Sequence, residues 1–259
     1  MLFNENKVRS IIRKIMLKES GAIGVVQSVG LDLATKIRSG DVKSKEVEGV
    51  DFKNSGIKPL ENWPSPSPVT QDASTMSISQ NGVDEIKRSE AFIPHVYDDL
   101  AGRAAKKAGL DAYENAKGTP TIGYGEAIFW KSQKEKAEKY RPYLKGGKKM
   151  TEPEALSLLM KSIRKHTAKI RSDVKVPLTQ NMFDALASYC YNTGPAGLKK
   201  FGILKPLNEG NYVGAAKIIQ SKPTKAKGSA GKALKGLVRR RQREASIFAT
   251  GAQSLSKEL

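Results

Sequence analysis

The sequence predicts an α+β fold that is mostly α, and three observations predict it. Apolar residues recur at helical spacing through most of residues 151–248. A Gly- and Thr-rich stretch, residues 97–129, breaks that periodicity and reads as turns with a small sheet. A short helical segment, residues 83–90, leads into it. The expected architecture is a small β-containing lobe at residues 90–130, a larger helical lobe after it, and a small helical module at the N-terminus.

Taken in order, Val8, Ile11, Ile12, Ile15 and Met16 form one apolar stripe, with Lys7, Arg9, Arg13, Lys14 and Lys18 largely off it. This is an amphipathic helix of about three turns, ended by Ser20-Gly21 and followed by a weaker apolar stretch at residues 25–37. Residues 1–60 read as a helical module that packs on itself, docks a partner protein, or lies on a membrane surface. Trp63-Pro64-Ser65-Pro66-Ser67-Pro68 lacks backbone donors and is biased to extended backbone, and a polar Ser/Thr/Gln run follows it. Residues 61–80 therefore read as a linker, and residues 81–259 as the main domain. Within that domain Thr151-Glu152-Pro153-Glu154 is a capping-box start for a helix with the stripe Leu156, Leu159, Met160, Ile163 and Ile170. Thr179 caps a second helix through Met182, Phe183, Leu186 and Tyr189. Asn208-Glu209-Gly210 turns the chain before a helix at residues 213–219, and the last helix covers residues 237–248.

Composition bounds the function. Apolar residues make up 39% of 259, enough for a real core and too many for a disordered chain. No apolar run approaches the ~18 residues of a membrane span, and Glu5, Arg13, Lys14 and Glu19 argue against a secretory leader. Cys190 is the single cysteine, so no internal disulfide forms, and it reads as a buried small hydrophobe. His95 and His166 have no ligand spacing around them, so neither a metal nor another cofactor is expected. The net charge of +19 is uneven: residues 1–79 hold eleven basic and nine acidic side chains, residues 80–259 hold 34 and 17. Such a surface attracts a polyanion, whether nucleic acid, anionic lipid or an acidic cell wall.

Two carboxylates stand out. Glu90 closes a helical segment and precedes Ala91, Phe92 and Ile93, surroundings that favour a protonated carboxyl. Asp99 follows nine residues later, beside Asp98, in a wetter turn-like stretch. Glycoside hydrolysis needs one protonated and one ionised carboxyl, although a Glu and an Asp nine apart carry little information alone.

More residues carry the assignment. Glu90-Ala91-Phe92, Tyr97-Asp98-Asp99 and Thr121-Ile122-Gly123-Tyr124-Gly125 are followed by Met150-Thr151-Glu152-Pro153-Glu154-Ala155, Leu178-Thr179-Gln180, Phe183-Asp184-Ala185-Leu186 and Tyr191-Asn192-Thr193-Gly194. Leu207-Asn208-Glu209-Gly210 and Gly236-Leu237-Val238-Arg239-Arg240-Arg241, with Glu244, complete the series. In this order the blocks resemble the phage lysozymes of glycoside hydrolase family 24, the T-even type of endolysin, over about 165 residues.

The resemblance implies a lysozyme-like fold with its site in a cleft between the lobes. It implies a muramidase that cleaves the β-1,4 bond between N-acetylmuramic acid and N-acetylglucosamine in bacterial peptidoglycan, with inversion. Glu90 matches the general acid, Asp99 the aspartate that activates water (Asp98 being the alternative), and Thr121 the threonine that helps hold that water. Tyr97, Gly123, Gly125 and Asn192 fall in blocks that would line the site, the two glycines reading equally as a tight strand end. Arg240 matches an arginine near the catalytic glutamate, or else belongs to a solvated basic face with Arg239, Arg241 and Arg243.

Three features depart from the family pattern. Glu126 stands where members carry His, an insertion at residues 103–117 occupies the cleft-lining loop, and Ser221-Lys222-Pro223 replaces a common tryptophan. The basic surface then has an acidic wall as its partner, and no nucleic-acid motif accompanies the charge. Two locations fit: a virion, with residues 1–60 docked on tail or baseplate proteins, or the host cytoplasm with release to the periplasm and wall. A structural wall-binding role for the domain is the reading from another class. A lytic transglycosylase would need only Glu90, and Asp99 with Thr121 argues against it.

Overall fold

The computed structural model describes residues 51–60, 63, 70–224 and 233–255. The chain divides into two units, Met1–Glu46 and Val47–Leu259, and all described residues belong to the second. The expected helix at residues 8–16 and the Pro/Ser run at residues 64–68 lie outside the described residues.

The expected α+β architecture is present. Helix α1 (Gln80–Glu90) leads into strand β1 (Ile93–Asp98), then come α2 (Arg103–Ala108), β2 (Pro120–Gly123), β3 (Glu126–Ala127) and α3 (Lys134–Glu138). The helical lobe follows as α4 (Glu152–Asp173), α5 (Gln180–Thr193), α6 (Gly197–Lys200), α7 (Leu204–Asn208), α8 (Tyr212–Ser221) and α9 (Lys235–Ser254). The sheet is antiparallel in the order β1-β2-β3, with Tyr97 opposite Thr121, Asp98 opposite Pro120, and Ile122 opposite Glu126.

The capping box holds: Thr151 Oγ1 accepts the Glu154 N–H, and Glu154 accepts the Thr151 N–H at 2.7 Å. Helix α4 buries Ala155, Leu159, Ile163, Thr167 and Ile170, a stripe at spacings of four and three. Its first half closes the β-lobe core and Ile170 enters the helical-lobe core, so one helix spans both. Helix α5 is buried all round from Asn181 to Cys190 and packs against α1, α4 and α9. Burial pushes the Cys190 thiol up to about 12, so it is a packing residue.

Residues assigned to a module and linker also enter this core. Phe52, Ile57, Ala73 and Met76 are buried in it, Leu60 N donates to Thr250 Oγ1 at 2.8 Å, and Gln71 pairs with Leu178 through two backbone bonds of 2.9 Å. The physical reason is that Pro/Ser composition reports the lack of a hydrogen-bonded ladder, whereas packing needs only a few apolar side chains. The buried unit therefore starts earlier than residue 81.

One contact places α1. Asp184 on α5 accepts the Ser79 N–H at 2.9 Å, the Ser79 hydroxyl, and Gln180 Nε2 at 2.9 Å. Burial raises the Asp184 carboxyl, and the hydroxyl and amide donors oppose that rise. Ser79 is the N-cap of α1, so the central helix fixes where α1 begins. Gly82 permits the approach: a Cβ there would lie 2.6 Å from Ile78 Cγ1 and 2.8 Å from Asp184 Cγ. Gly→Ala in a helix normally stabilises by roughly 0.5–1 kcal/mol. Here overpacking against a hydrogen-bonded Asp184 outweighs that gain, and Gly82→Ala should destabilise by about 1–2 kcal/mol in urea denaturation. A stabilised Gly82→Ala protein would show that α1 is not held this tightly.

Candidate active site

Helix α1 ends at Glu90 because Ala91 leaves helical geometry, with a positive φ of 55° and an extended ψ of 149°, which turns the chain into β1. Phe92 then packs on Tyr124, with ring centroids 5.4 Å apart. Glu90 is thus delivered to the junction of the lobes by a rigid helix. Arg240 from α9 grips it, Nη1 donating to Glu90 Oε1 at 2.5 Å. The other oxygen faces the Gly-Tyr-Gly turn: a Cβ on Gly125 would stand 3.5 Å from Glu90 Oε2, and the φ of +91° there suits glycine. Gly123 does not share this role. Its Cβ would meet Ala155 and Met150 at 3.3 and 3.4 Å, so its smallness serves packing against α4.

The turn itself is tied down. Tyr124 Oη donates to Glu152 Oε1 at 2.6 Å, Lys87 pairs with the same carboxylate at 2.9 Å, and Tyr191 Oη donates to the Tyr124 carbonyl at 2.8 Å. These bonds join α1, α4 and α5 around the segment that faces Glu90.

Asp99 lies just past the end of β1. Tyr97, paired with Thr121, feels both carboxylates: burial first, then the charges of Glu90 and Asp99, push its phenol up to about 12. Asp99 is exposed, and its Oδ1 accepts the Thr119 N–H at 2.7 Å. Thr121 is buried and its hydroxyl donates to the Thr119 carbonyl at 2.9 Å, leaving the oxygen lone pairs free to accept. Asp98 has a different task. It accepts the backbone N–H groups of Leu100, Lys117 and Gly118 at 3.0, 2.8 and 3.0 Å and so closes the turn.

Asn192 lines a cleft of about 820 Å³ with Glu90, Arg88, Arg239, Arg240 and Arg243, and its Oδ1 accepts Arg241 Nη2 at 2.8 Å. The alternative of a solvated arginine face does not describe Arg240 or Arg241, which are 8% and 0% exposed. The insertion at residues 103–117 forms α2 and covers the free edge of β1, where Leu110 N donates to the Val96 carbonyl at 2.8 Å. Glu126 pairs with Lys136 at 2.5 Å, and the Lys222 carbonyl accepts Tyr189 Oη at 2.8 Å. Sequence reasoning named Tyr191 and Glu244 only as members of matching blocks, without a role, and did not single out Ser188. For Glu244 a signal existed, its i+4 and i+3 spacing from Arg240 and Arg241.

A family model described as phage lysozyme matches residues 105–244. An endolysin of Acyrthosiphon pisum secondary endosymbiont phage 1 is 32% identical over 174 residues, 67% of this chain and 98% of that protein. Among solved structures, an endolysin from Escherichia coli O157:H7 phage FAHEc1 is similar at a TM-score of 0.52 and 31% identity, over 67% of this chain and 94% of that one. The muramidase domain of SpmX from Asticaccaulis excentricus is similar at a TM-score of 0.50 and 26% identity, over 66% and 97%.

The Asp98 turn predicts a response to pH. Burial acts to raise the Asp98 carboxyl, but the three backbone donors and the Lys106 ammonium outweigh it, and the group lies below the ordinary range. A lowered carboxylate contributes stability that is present above its unfolded pKa of ~3.9 and is lost as pH falls through the folded value. Hydrogen exchange at the Lys117 and Gly118 amides, taken relative to the intrinsic amide rate at each pH, should therefore be slow at neutral pH and accelerate only in strong acid. Asp98→Asn should speed it at neutral pH. Unchanged exchange in Asp98→Asn would remove Asp98 from its structural role.

Proposed function

This chain belongs to the phage lysozyme family and is a phage peptidoglycan hydrolase, and on that premise we propose that Glu90, Asp99 and Thr121 cleave the β-1,4 bond between N-acetylmuramic acid and N-acetylglucosamine. The observation that carries this reading is the division of labour at Glu90. Arg240 holds Oε1, while Oε2 faces the glycine of the Gly-Tyr-Gly turn, where a glycosidic oxygen can approach. Glu90 donates its proton to that leaving oxygen. Asp99, exposed, uses the oxygen not engaged by Thr119 to orient and activate the attacking water. Thr121, its proton committed to the Thr119 carbonyl, accepts a hydrogen bond from the same water. Attack from the face opposite the leaving group inverts the anomeric carbon.

The excess of basic groups in residues 80–259 favours approach to the acidic peptides and phosphate polymers of the wall. Among the described residues no helix is long and apolar enough to cross a membrane. The endolysin relative supports action from the host cytoplasm outward onto the wall. We further propose that the N-terminal unit docks the enzyme on a virion protein through the Ile11, Ile15 and Met16 stripe.

Glu90→Gln should reduce lysis of purified walls by about 10³-fold or more while leaving the melting temperature near wild type. Asp99→Asn should lose most activity and Thr121→Ala a measurable part. Full activity in Asp99→Asn with loss in Asp98→Asn would reverse the assignment of the pair. Because Phe52 and Ile57 belong to the core, the docking test deletes residues 1–46 only. The shortened enzyme should retain wall hydrolysis and be missing from purified particles. Particles that still contain it would rule out docking through this unit.

A further inference from the structure

The run Arg239-Arg240-Arg241-Gln242-Arg243-Glu244 places one carboxylate among four arginines on α9, and the chemistry above uses only Arg240. Glu244 is fully buried. Its Oε1 accepts Arg240 Nε at 3.0 Å and the Ser188 hydroxyl at 2.7 Å, and its Oε2 stands 3.2 Å from Arg241 Nη1. Arg241, also buried, lies 4.5 Å over the Tyr189 ring and donates to Asn192. Arg240 Nη2 donates to the Ser188 carbonyl at 3.2 Å. Every nitrogen of the Arg240 guanidinium therefore has a partner, and Glu90 is only one of the three.

Charge makes the arrangement consequential. With Glu90 ionised, two carboxylates face two guanidiniums. Once Glu90 takes the proton it must donate, Glu244 alone balances the two cations. Without that charge, a buried and uncompensated Arg240 would favour ionised Glu90. The other groups that feel the Glu90 charge are Tyr97 from the β-lobe, which also feels Asp99, and Tyr191 from α5, which also feels Glu126. Arg88, Arg239 and Arg243 line the same cleft, and Arg243 is paired with Glu85 at 2.6 Å. None of these touches Arg240 Nε.

We infer that Glu244 is a positioning residue for acid catalysis, locking the Arg240 guanidinium onto Glu90 and supplying the buried negative charge that lets Glu90 hold its proton beside a charged arginine. This rests on Glu90 being the acid. Glu244→Gln keeps an oxygen for Arg240 Nε and removes the charge. Measured on purified walls across pH, kcat should stay near wild type on the acid side, and the alkaline limb should move down by about one pH unit, a loss of about tenfold beyond it. A uniform loss at every pH, with the limb in place, overturns the inference. Removing a partner from a buried ion pair is strongly destabilising, so a second measurement applies if the variant does not fold. In a crystal structure of Glu90→Gln, Arg240 should remain on Glu244 and the Ser188 carbonyl. An arginine that leaves Glu244 when the Glu90 charge is gone refutes the locking role. Loss of lysis in Glu90→Gln tests the acid assignment separately, since Arg240 geometry in that variant speaks only for Glu244.

Discussion

The ion pair between Glu90 and Arg240 is the interaction on which the rest of the site depends, because it joins the end of α1 to the final helix of the chain. Partners 150 residues apart in sequence meet at 2.5 Å. A single exposed pair of this kind would be worth little. This one is embedded: Arg240 is bonded to Ser188 and Glu244, Glu244 to Arg241, and Arg241 to Asn192. Glu90 therefore rests on an arginine that two further contacts hold in a low-dielectric interior, and the geometry is correspondingly stiff.

The opposite end of α1 is held with equal economy. Asp184 binds the N-cap serine, Gly82 allows close approach to α5, and an 11-residue helix carries that placement to Glu90. The central helix α5 thus determines where Glu90 sits from both sides, through Asp184 near its start and Ser188 near its middle. Asp99 is positioned by a different device, the β1–β2 pairing that sets Tyr97 opposite Thr121, with Asp98 closing the turn beyond. The two carboxylates belong to differently built lobes, and α4 connects them.

Burial divides the basic side chains into two populations. Arg240 and Arg241 are removed from water and matched by Glu244 and Glu90. Most other described lysines and arginines after residue 80 stay exposed, and these are the cations that a long-range attraction to an acidic polymer would draw on. Position in the interior, rather than residue type, separates the arginines that shape the site from the cations that face outward.

Much of this was legible in the residues themselves. The capping box at Thr151, the Thr179 cap, the α4 stripe and the interruption at residues 97–129 are local signals, and local physics produced the elements expected from them. The block order identified Glu90, Asp99, Thr121 and Arg240 as candidates. What the residues could not reveal was long-range partnership. Whether Arg240 pairs or is solvated depends on where α9 lands against α5. Gly123 and Gly125 look alike in sequence and face opposite ways. Asp98 and Asp99 are neighbours, and only the turn decided which is consumed by backbone donors. Phe52 and Ile57 fall in the stretch read as an N-terminal module, and Ala73 and Met76 in the stretch read as a linker, yet all four enter the core because a few apolar side chains suffice to bind a segment without regular structure. The sequence by itself determined the elements and the chemical types available, since these follow from neighbours along the chain. The tertiary structure alone decided which carboxylate faces which arginine, because that energy depends on burial and on contacts between residues far apart in sequence.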